Sequence, residues 1–182
     1  MEITGLHHTS HITADAAANN AFYTRVLGLR RTWKTVNFDD PATYHLAYGD
    51  RAMTPGTNLT FFEHSGAPAV RPGRRSLSET ALRVGSVADL DWWADRLTAH
   101  GLSVKRGVER FGRAACGSPT PRGSRCCSWP GDRGDERVAW PASPVPAGRQ
   151  LHGLDSVTIT VDDPRPTAAV PRARARDATA RR

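Results

Sequence analysis

The order of hydrophobic patterns over residues 1–65 constrains the fold more than any other feature of the sequence. A short β-branched run at Leu6–Thr13 precedes Ala14–Leu29, where apolar residues recur at helical spacings of three and four. Three strand-like runs then follow, separated by Asp, Pro and Gly turn residues: Arg31–Phe38, Thr43–Tyr48 and Asn58–Phe62. The pattern predicts one βαβββ module over residues 1–65.

The same order begins again after a connector at 66–75 that is rich in Gly, Pro and Arg. Ser78–Val84 is a predicted strand, Val87–Leu102 is a predicted helix with one apolar side, and Ser103–Phe111 is a predicted strand. The repeat rests on pattern rather than on identity. It predicts an incomplete second module over residues 76–111.

The pattern is lost over residues 112–150, which we expect to form an irregular linker. The segment begins as a run of Gly, Pro, Ser, Arg and Cys without any period, typical of a flexible surface loop or a disordered linker. A third explanation is translation out of frame from GC-rich DNA. The almost exclusive use of Arg, with Lys only at Lys34 and Lys105, favours that third explanation.

Regular patterning returns at residues 151–170, where Val157, Ile159 and Val161 alternate with threonines as in a half-buried strand. A helix start follows, so this segment predicts the beginning of a third module. Residues 171–182 have no apolar face and are expected to be a disordered tail.

Charge and composition exclude several classes of protein. The formal net charge is +7, of which residues 1–112 carry +2 and residues 113–182 carry +5, with few aromatic residues there to stack bases. We therefore expect no nucleic-acid partner. No apolar run is long enough to span a membrane, which predicts a cytoplasmic protein. The three cysteines lack the spacing of a zinc site.

The strings GLHHTSHITADAAANNAFYTRVLGLR, KTVNFDDPATYHLAYGD and PGTNLTFF resemble the first module of ring-cleaving dioxygenases of the vicinal-oxygen-chelate superfamily, nearest to the hydroquinone type. The resemblance extends over residues 3–63, 76–111 and 151–170. It implies an α+β fold in which βαβββ modules form curved mixed sheets around a metal-centred cleft. In such relatives four modules hold Fe(II) beside a small aromatic substrate and dioxygen, so the resemblance implies Fe(II) here, with Mn(II) as the alternative.

The resemblance also implies roles for particular residues. His8 matches a metal ligand on the first strand, and His7 matches a neighbouring catalytic-cleft residue. Asp155 stands where relatives carry a histidine that assists the substrate, although a strand-end turn residue is an equally good interpretation. The other ligands, a histidine and a glutamate, would lie in a fourth module. Glu63 and Glu79 are possible substitutes, with solvated strand-edge carboxylates as the alternative.

The other histidine and aromatic residues are expected to stabilise the fold rather than to take part in a reaction. His45 and His64 are expected to be structural or solvent-facing. The aromatic residues of the first module could line a cleft, but alternating strand residues are more often core: Tyr44, Tyr48, Phe61 and Phe62. Trp92 and Trp93 are expected to pack the second helix on its sheet.

Three functional hypotheses remain from the sequence. The first is an iron-dependent dioxygenase, or a truncated remnant of one, that cleaves a hydroquinone or catechol, with missing ligands supplied by a second chain or by Glu63 and Glu79. The second is a non-catalytic small-molecule-binding protein of the glyoxalase and bleomycin-resistance type. The third is a non-functional frame-shifted product. Incomplete modules expose apolar sheet surface, so a homodimer is possible.

Overall fold

A computed structural model describes residues 5–68, 75–110, 112–119, 125–130 and 136–170. Its regular elements form two βαβββ units and one further strand. They are β1 His8–Thr13, α1 Ala16–Ala21, β2 Arg30–Val36, β3 Tyr44–Gly49, β4 Asn58–Glu63, β5 Ser76–Val84, α2 Val87–Ala99, β6 Lys105–Arg110, β7 Arg113–Pro119, β8 Arg125–Pro130 and β9 Leu154–Thr160. A π-helical turn at Phe22–Val26 follows α1. The predicted α+β class is confirmed.

The first unit forms a four-stranded sheet in the order β1-β4-β3-β2, with β1 parallel to β4 and the other neighbours antiparallel. Asp15 caps α1, because its carboxylate accepts the backbone N–H groups of Ala17 and Ala18 at 2.8 and 2.9 Å. The predicted helix is continuous to Leu29, whereas the real helix widens into the π-helical turn. This turn buries the adjacent rings of Phe22 and Tyr23.

The second unit contributes to a five-stranded sheet in the order β6-β7-β8-β5-β9. Strands β7 and β8 lie inside the segment 112–150 that the sequence predicts to be irregular. They form because the backbones of β6 and β5 offer them hydrogen-bonding partners, which composition does not reveal. Ala115 and Cys116 of β7 are buried.

Residues 136–150 contain only a short 3₁₀ turn, yet they pack tightly on the first unit. The carboxylate of Asp50 accepts the N–H of Val138 at 2.7 Å, and the hydroxyl of Ser143 donates to the carbonyl of Gly28 at 2.7 Å. A Cβ atom at Gly28 would lie 2.5 Å from Cγ2 of Val145, so glycine is required there. This irregular segment therefore holds a fixed place between the units.

One hydrophobic core runs through both units. Trp93 of α2 is fully buried, and its indole N–H donates to the carbonyl of Arg149 at 3.0 Å. Arg96 of α2 donates to the carbonyls of Val26 and Arg25, both at 2.8 Å, and so fastens α2 to the end of the π-helical turn. The expected packing of the second helix on its sheet is thus present.

Strand β9 pairs antiparallel with β5, and residues 164–170 are helical. This is the strand-then-helix order that the sequence predicts for the start of a third module. The expected tail at 171–182 lies outside the described residues. None of the helices that the structure describes is long and apolar enough to cross a membrane.

Candidate functional site

The register of the first sheet sorts its side chains onto two faces, because neighbouring residues in a strand point in opposite directions. Tyr23 lies against one face and contacts the rings of Tyr48 and Phe61, with centroids 5.0 and 4.6 Å away. We call the opposite face the open face. It carries the following residues: His8, Ser10, Ile12, Trp33, His45, Thr60 and Phe62.

His8, the predicted metal ligand, lies on the open face and is exposed. Its Nδ1 atom is 3.0 Å from Nδ1 of His7, a hydrogen bond in which either ring is the donor. A hydrogen bond at one nitrogen orients an imidazole and leaves the other nitrogen, here Nε2, for a ligand. The hydrogen bond therefore holds the His7 ring against the His8 ring.

His11, the third histidine of this segment, lies on the face covered by Tyr23. It stacks on Phe61 with 5.2 Å between ring centroids, and it hydrogen-bonds Thr9 at 3.0 Å. Burial lowers the pKa of His11 to about 4, so its ring is neutral at physiological pH. His11 is a half-buried residue packed on the covered face, and strand alternation explains why it differs from His8.

An aromatic patch occupies the other end of the open face. His45 stacks on Phe62 with 4.2 Å between centroids and meets the edge of Trp33 at 6.0 Å. Burial, followed by the charge of His8, lowers the pKa of His45 below its ordinary value. Its Nε2 atom is buried and has no hydrogen-bond partner among the described residues. This nitrogen is therefore left without a polar partner inside the aromatic patch.

Two hydroxyl groups lie between His8 and the aromatic patch. Ser10 and Thr60 hydrogen-bond each other at 2.9 Å across β1 and β4. Hydroxyls both donate and accept, so the pair can meet a polar substituent of a ligand. The open face thus combines an imidazole, a hydroxyl pair and aromatic rings.

The carboxylates considered from the sequence lie elsewhere. Glu63 accepts the backbone N–H of Ala16 at 2.8 Å, which places it at the start of α1. Glu79 is buried in the second sheet, where the hydroxyl of Thr158 donates to it at 3.5 Å. Asp155 also belongs to the second sheet and pairs with Arg113 at 3.4 Å. The structure therefore places His7 beside His8, but it places none of these three carboxylates there.

Other predicted ring positions divide between the two faces. Tyr48 and Phe61 are core residues, as the alternating pattern favours, while Phe62 lies on the open face. Tyr44 is exposed and lies under the ammonium of Lys34, which is 3.6 Å from the ring centroid. The sequence interpretation missed the pairing of Trp33 with His45, because a cross-strand contact depends on register.

A ferrous ion in a ring-cleaving site takes two histidines and one carboxylate on one face. In the part of the chain that the structure describes, no group of three or more His, Cys, Asp or Glu side chains comes together. The available donor set consists of His8 with His7 beside it. A single copy of these residues therefore does not fit the complete ligand set of iron.

Two βαβββ units with mixed sheets and one open, histidine-bearing face define a vicinal-oxygen-chelate fold. The chain belongs to the Glyoxalase/Bleomycin resistance protein/Dioxygenase superfamily, whose family profile matches residues 5–117. The family expected from the sequence is thereby confirmed.

Curated relatives match about three fifths of the chain. The chain is 43% identical over 112 residues to MhqA of Bacillus subtilis, assigned by name to the ring-cleaving dioxygenases; the alignment covers 59% of this chain and 35% of MhqA. It is 31% identical over 114 residues to chlorohydroquinone/hydroquinone 1,2-dioxygenase of Sphingobium indicum, covering 61% and 35%. The matched region is about a third of the length of these relatives.

Solved structures agree on the architecture. A crystal structure titled as a dioxygenase from Bacillus subtilis superposes with a TM-score of 0.82 at 31% identity, covering 92% of this chain and 53% of that one. A glyoxylase/bleomycin resistance protein/dioxygenase domain from Frankia gives a TM-score of 0.60 at 19% identity, covering 71% and 99%. The second likeness shows the fold alone.

Proposed function

We propose that this chain is the N-terminal part of a ring-cleaving dioxygenase that acts on a hydroquinone or catechol with dioxygen. The observation that carries the proposal is the position of His8 on the open face, together with the aromatic patch. The names of the curated relatives support the reaction class.

The open face suits a planar dihydroxybenzene. The rings of Phe62, His45 and Trp33 offer apolar and stacking surface for the substrate ring. The Ser10–Thr60 pair offers hydrogen bonds to one ring hydroxyl. His8 is the metal ligand of this half-site, with His7 holding its ring in place.

Ring cleavage needs a complete metal site, and the described residues of one copy supply only part of it. The open face is therefore one wall of a cleft, and the remaining ligands come from residues outside the described part of the chain or from a second chain. Fe(II), with Mn(II) as the alternative, is the ion that the completed site would hold.

Oxygen uptake with hydroquinone tests the enzymatic proposal. Protein supplied anaerobically with Fe(II) and then exposed to oxygen is expected to consume dioxygen and open the ring. The His8→Ala variant is expected to lose this uptake, while His100→Ala, a change at an exposed residue after α2, retains it. Absence of both stoichiometric iron or manganese and ring cleavage in the unaltered protein rejects the activity for this chain.

The second candidate function is metal-independent binding of an aromatic molecule, as in the bleomycin-resistance branch. The aromatic patch favours it, since the patch forms without any metal cluster in the described residues. Calorimetry with hydroquinone in the presence of a chelator separates the two. Binding that survives chelation and His8→Ala but is lost in Trp33→Ala supports this second function.

A further inference from the structure

The loop 50–57, which joins β3 to β4, is attached at its start to segment 136–154. The carboxylate of Asp50 accepts the N–H of Val138 at 2.7 Å, and the N–H of Arg51 donates to the carbonyl of Val138 at 3.0 Å. Asp50 is itself buried. Because both bonds reach the same residue of the segment, the start of the loop and Val138 keep a fixed separation.

The end of the same loop lies between that segment and the start of β1. The N–H of Leu154 donates to the carbonyl of Gly56 at 2.6 Å, and the N–H of Gly56 donates to the carbonyl of His7 at 2.7 Å. Gly56 therefore links Leu154 to the residue whose ring is hydrogen-bonded to His8. Residues 6–8 are exposed, so packing does little to hold this stretch of backbone, and the bond from Gly56 matters more.

Gly153 and Gly56 meet backbone against backbone. Their φ angles are +93° and +92°, in the left-handed region that favours glycine. A Cβ atom at Gly153 would lie 2.5 Å from the carbonyl oxygen of Gly56, the same oxygen that accepts the N–H of Leu154. A backbone oxygen cannot turn aside as the end of a long side chain can. A side chain at position 153 must therefore displace the loop or the segment.

Strand β5 fixes the place of Gly153. The N–H of Arg83 donates to the carbonyl of Gly153, and the N–H of His152 donates to the carbonyl of Arg83, both at 2.8 Å. The guanidinium of Arg83 also donates to the carbonyl of His152 at 2.7 Å. Strand β5 is a firm support, because it is paired on both sides, by β8 and by β9. A path of hydrogen-bonded backbone thus runs from β5 through the segment and the loop to His7.

We propose that segment 136–154 positions the His7–His8 pair through the carbonyl of Gly56, and that Gly153 is the residue whose missing side chain permits this contact. The inference rests on the proposed function, since it supplies a support for the open face. Groups that bind or react together must be held within about 0.5 Å of their working positions. An exposed strand end meets that demand only when another element holds it. The segment that composition marks as irregular therefore serves the site and does not only connect strands.

Gly153→Ala tests the contact, and Gly101→Ala is its matched control. Both substitutions place a side chain at a positive φ, +93° and +79°, but a Cβ atom at Gly101 would meet no described atom within 4 Å. The full chain, without metal, is labelled with isotope-enriched histidine, and the ring nitrogens are followed by NMR. In Gly153→Ala the rings of His7 and His8 are expected to lose their mutual hydrogen bond and to move toward the shifts of a free imidazole. In Gly101→Ala they are expected to stay in place.

The ring of His11 separates positioning from a general loss of structure. It stacks on Phe61 on the covered face and is expected to keep its resonances in Gly153→Ala, which reports an intact sheet. A folded Gly153→Ala protein in which His7 and His8 keep their resonances overturns the proposal. This holds even if that protein is less stable, because the contact would then be only structural.

Arg83→Met tests the same path if Gly153→Ala does not fold. It removes the side-chain bond to the carbonyl of His152 and leaves the backbone bonds of β5 in place. The amide of Gly56 is expected to exchange its hydrogen up to about fivefold faster, the effect of losing one hydrogen bond from the path. Arg106→Met, which removes an exposed ion pair with Asp95, is the control.

Unchanged exchange at Gly56 in Arg83→Met, or equal acceleration in the two arginine variants, contradicts the proposal. None of these measurements needs metal or turnover. Failure of ring cleavage therefore concerns only the proposed function and leaves the support of the His7–His8 pair to be decided by the resonances and exchange rates.

Discussion

The first and second sheets are built from the same βαβββ unit but differ in what completes them. In the second sheet β9 closes the edge of β5, and Glu79 at the position of His8 is buried against Thr158. In the first sheet the corresponding edge is open among the described residues, and His8 is exposed. The comparison teaches that pairing along the free edge of the first strand of a unit turns an exposed position on that strand into an interior one.

The two sheets nevertheless share one hydrophobic core. The Trp93→Ala substitution is the strongest test of this sharing. Removing this fully buried ring is expected to lower the free energy of unfolding by about 3–5 kcal/mol. Because the core is continuous, circular dichroism and amide signals from the first sheet are expected to change in a single urea transition. The neighbouring half-buried Trp92→Ala is the control and costs less. A first sheet that unfolds separately breaks the comparison.

The second prediction concerns His11 of the first sheet. The corresponding position of the second sheet is occupied by Leu82, which is buried in β5. Burial lowers the pKa of His11 to about 4, whereas the unfolded chain titrates near about 6.5. The unfolded state therefore binds protons first, and stability falls by up to about 3 kcal/mol as pH drops from about 6.5 to about 4.

His11→Leu is expected to remove this loss. Urea midpoints at neutral pH and at about pH 5, between the two pKa values, measure the effect, with His100→Leu as the exposed control. If the substituted and unaltered proteins lose stability equally on acidification, His11 is not the buried titrating group.

The third prediction concerns the segment 136–150 that joins the sheets. Burial alone raises the pKa of Asp50, but hydrogen bonds from the Thr54 hydroxyl and from the N–H groups of Val138, Thr54 and Ala52 outweigh it and lower the pKa. Asp50→Asn is expected to cost about 2 kcal/mol at neutral pH, from loss of charge-assisted bonds. The contribution of Asp50 is present above its unfolded pKa and disappears as pH falls through its folded pKa.

Urea unfolding at neutral pH and in acid measures the Asp50 effect, with the exposed Asp39→Asn as control. A cost that persists unchanged in strong acid would show that the charge of Asp50 is not what stabilises the junction.

The smallest expected effect separates a structural carboxylate from a metal ligand. Glu63→Ala is expected to cost about 1 kcal/mol, because the N–H of Ala16 at the start of α1 loses its acceptor. Ni(II) binding is expected to be unchanged, as in the exposed control Glu109→Ala. Weaker Ni(II) binding in Glu63→Ala alone would instead assign Glu63 to the metal.

Much of the fold could be predicted, because the relevant signals are local. The strand and helix periods placed β1 to β6, both helices and β9 within a few residues. Strands β7 and β8 could not be predicted, since pairing with distant strands and not local composition forms them. The packing of Val145 on Gly28 is likewise a long-range contact.

The candidate site was predictable only in part. Strand alternation separates His8 from His11, but it does not say which face the helix covers. No local pattern indicates that Glu63 serves α1 or that Glu79 and Asp155 belong to the other sheet.

Paramagnetic broadening of imidazole resonances tests the central claim most directly, namely that His8 on the open face is the metal-binding position. Substoichiometric Mn(II) is added to protein with isotope-labelled histidine, and each ring is followed by NMR. We predict that His8 and His7 broaden first, while His11 and His100 remain sharp. Broadening that begins at His11 or His100, or that leaves His8 unaffected, would contradict the account.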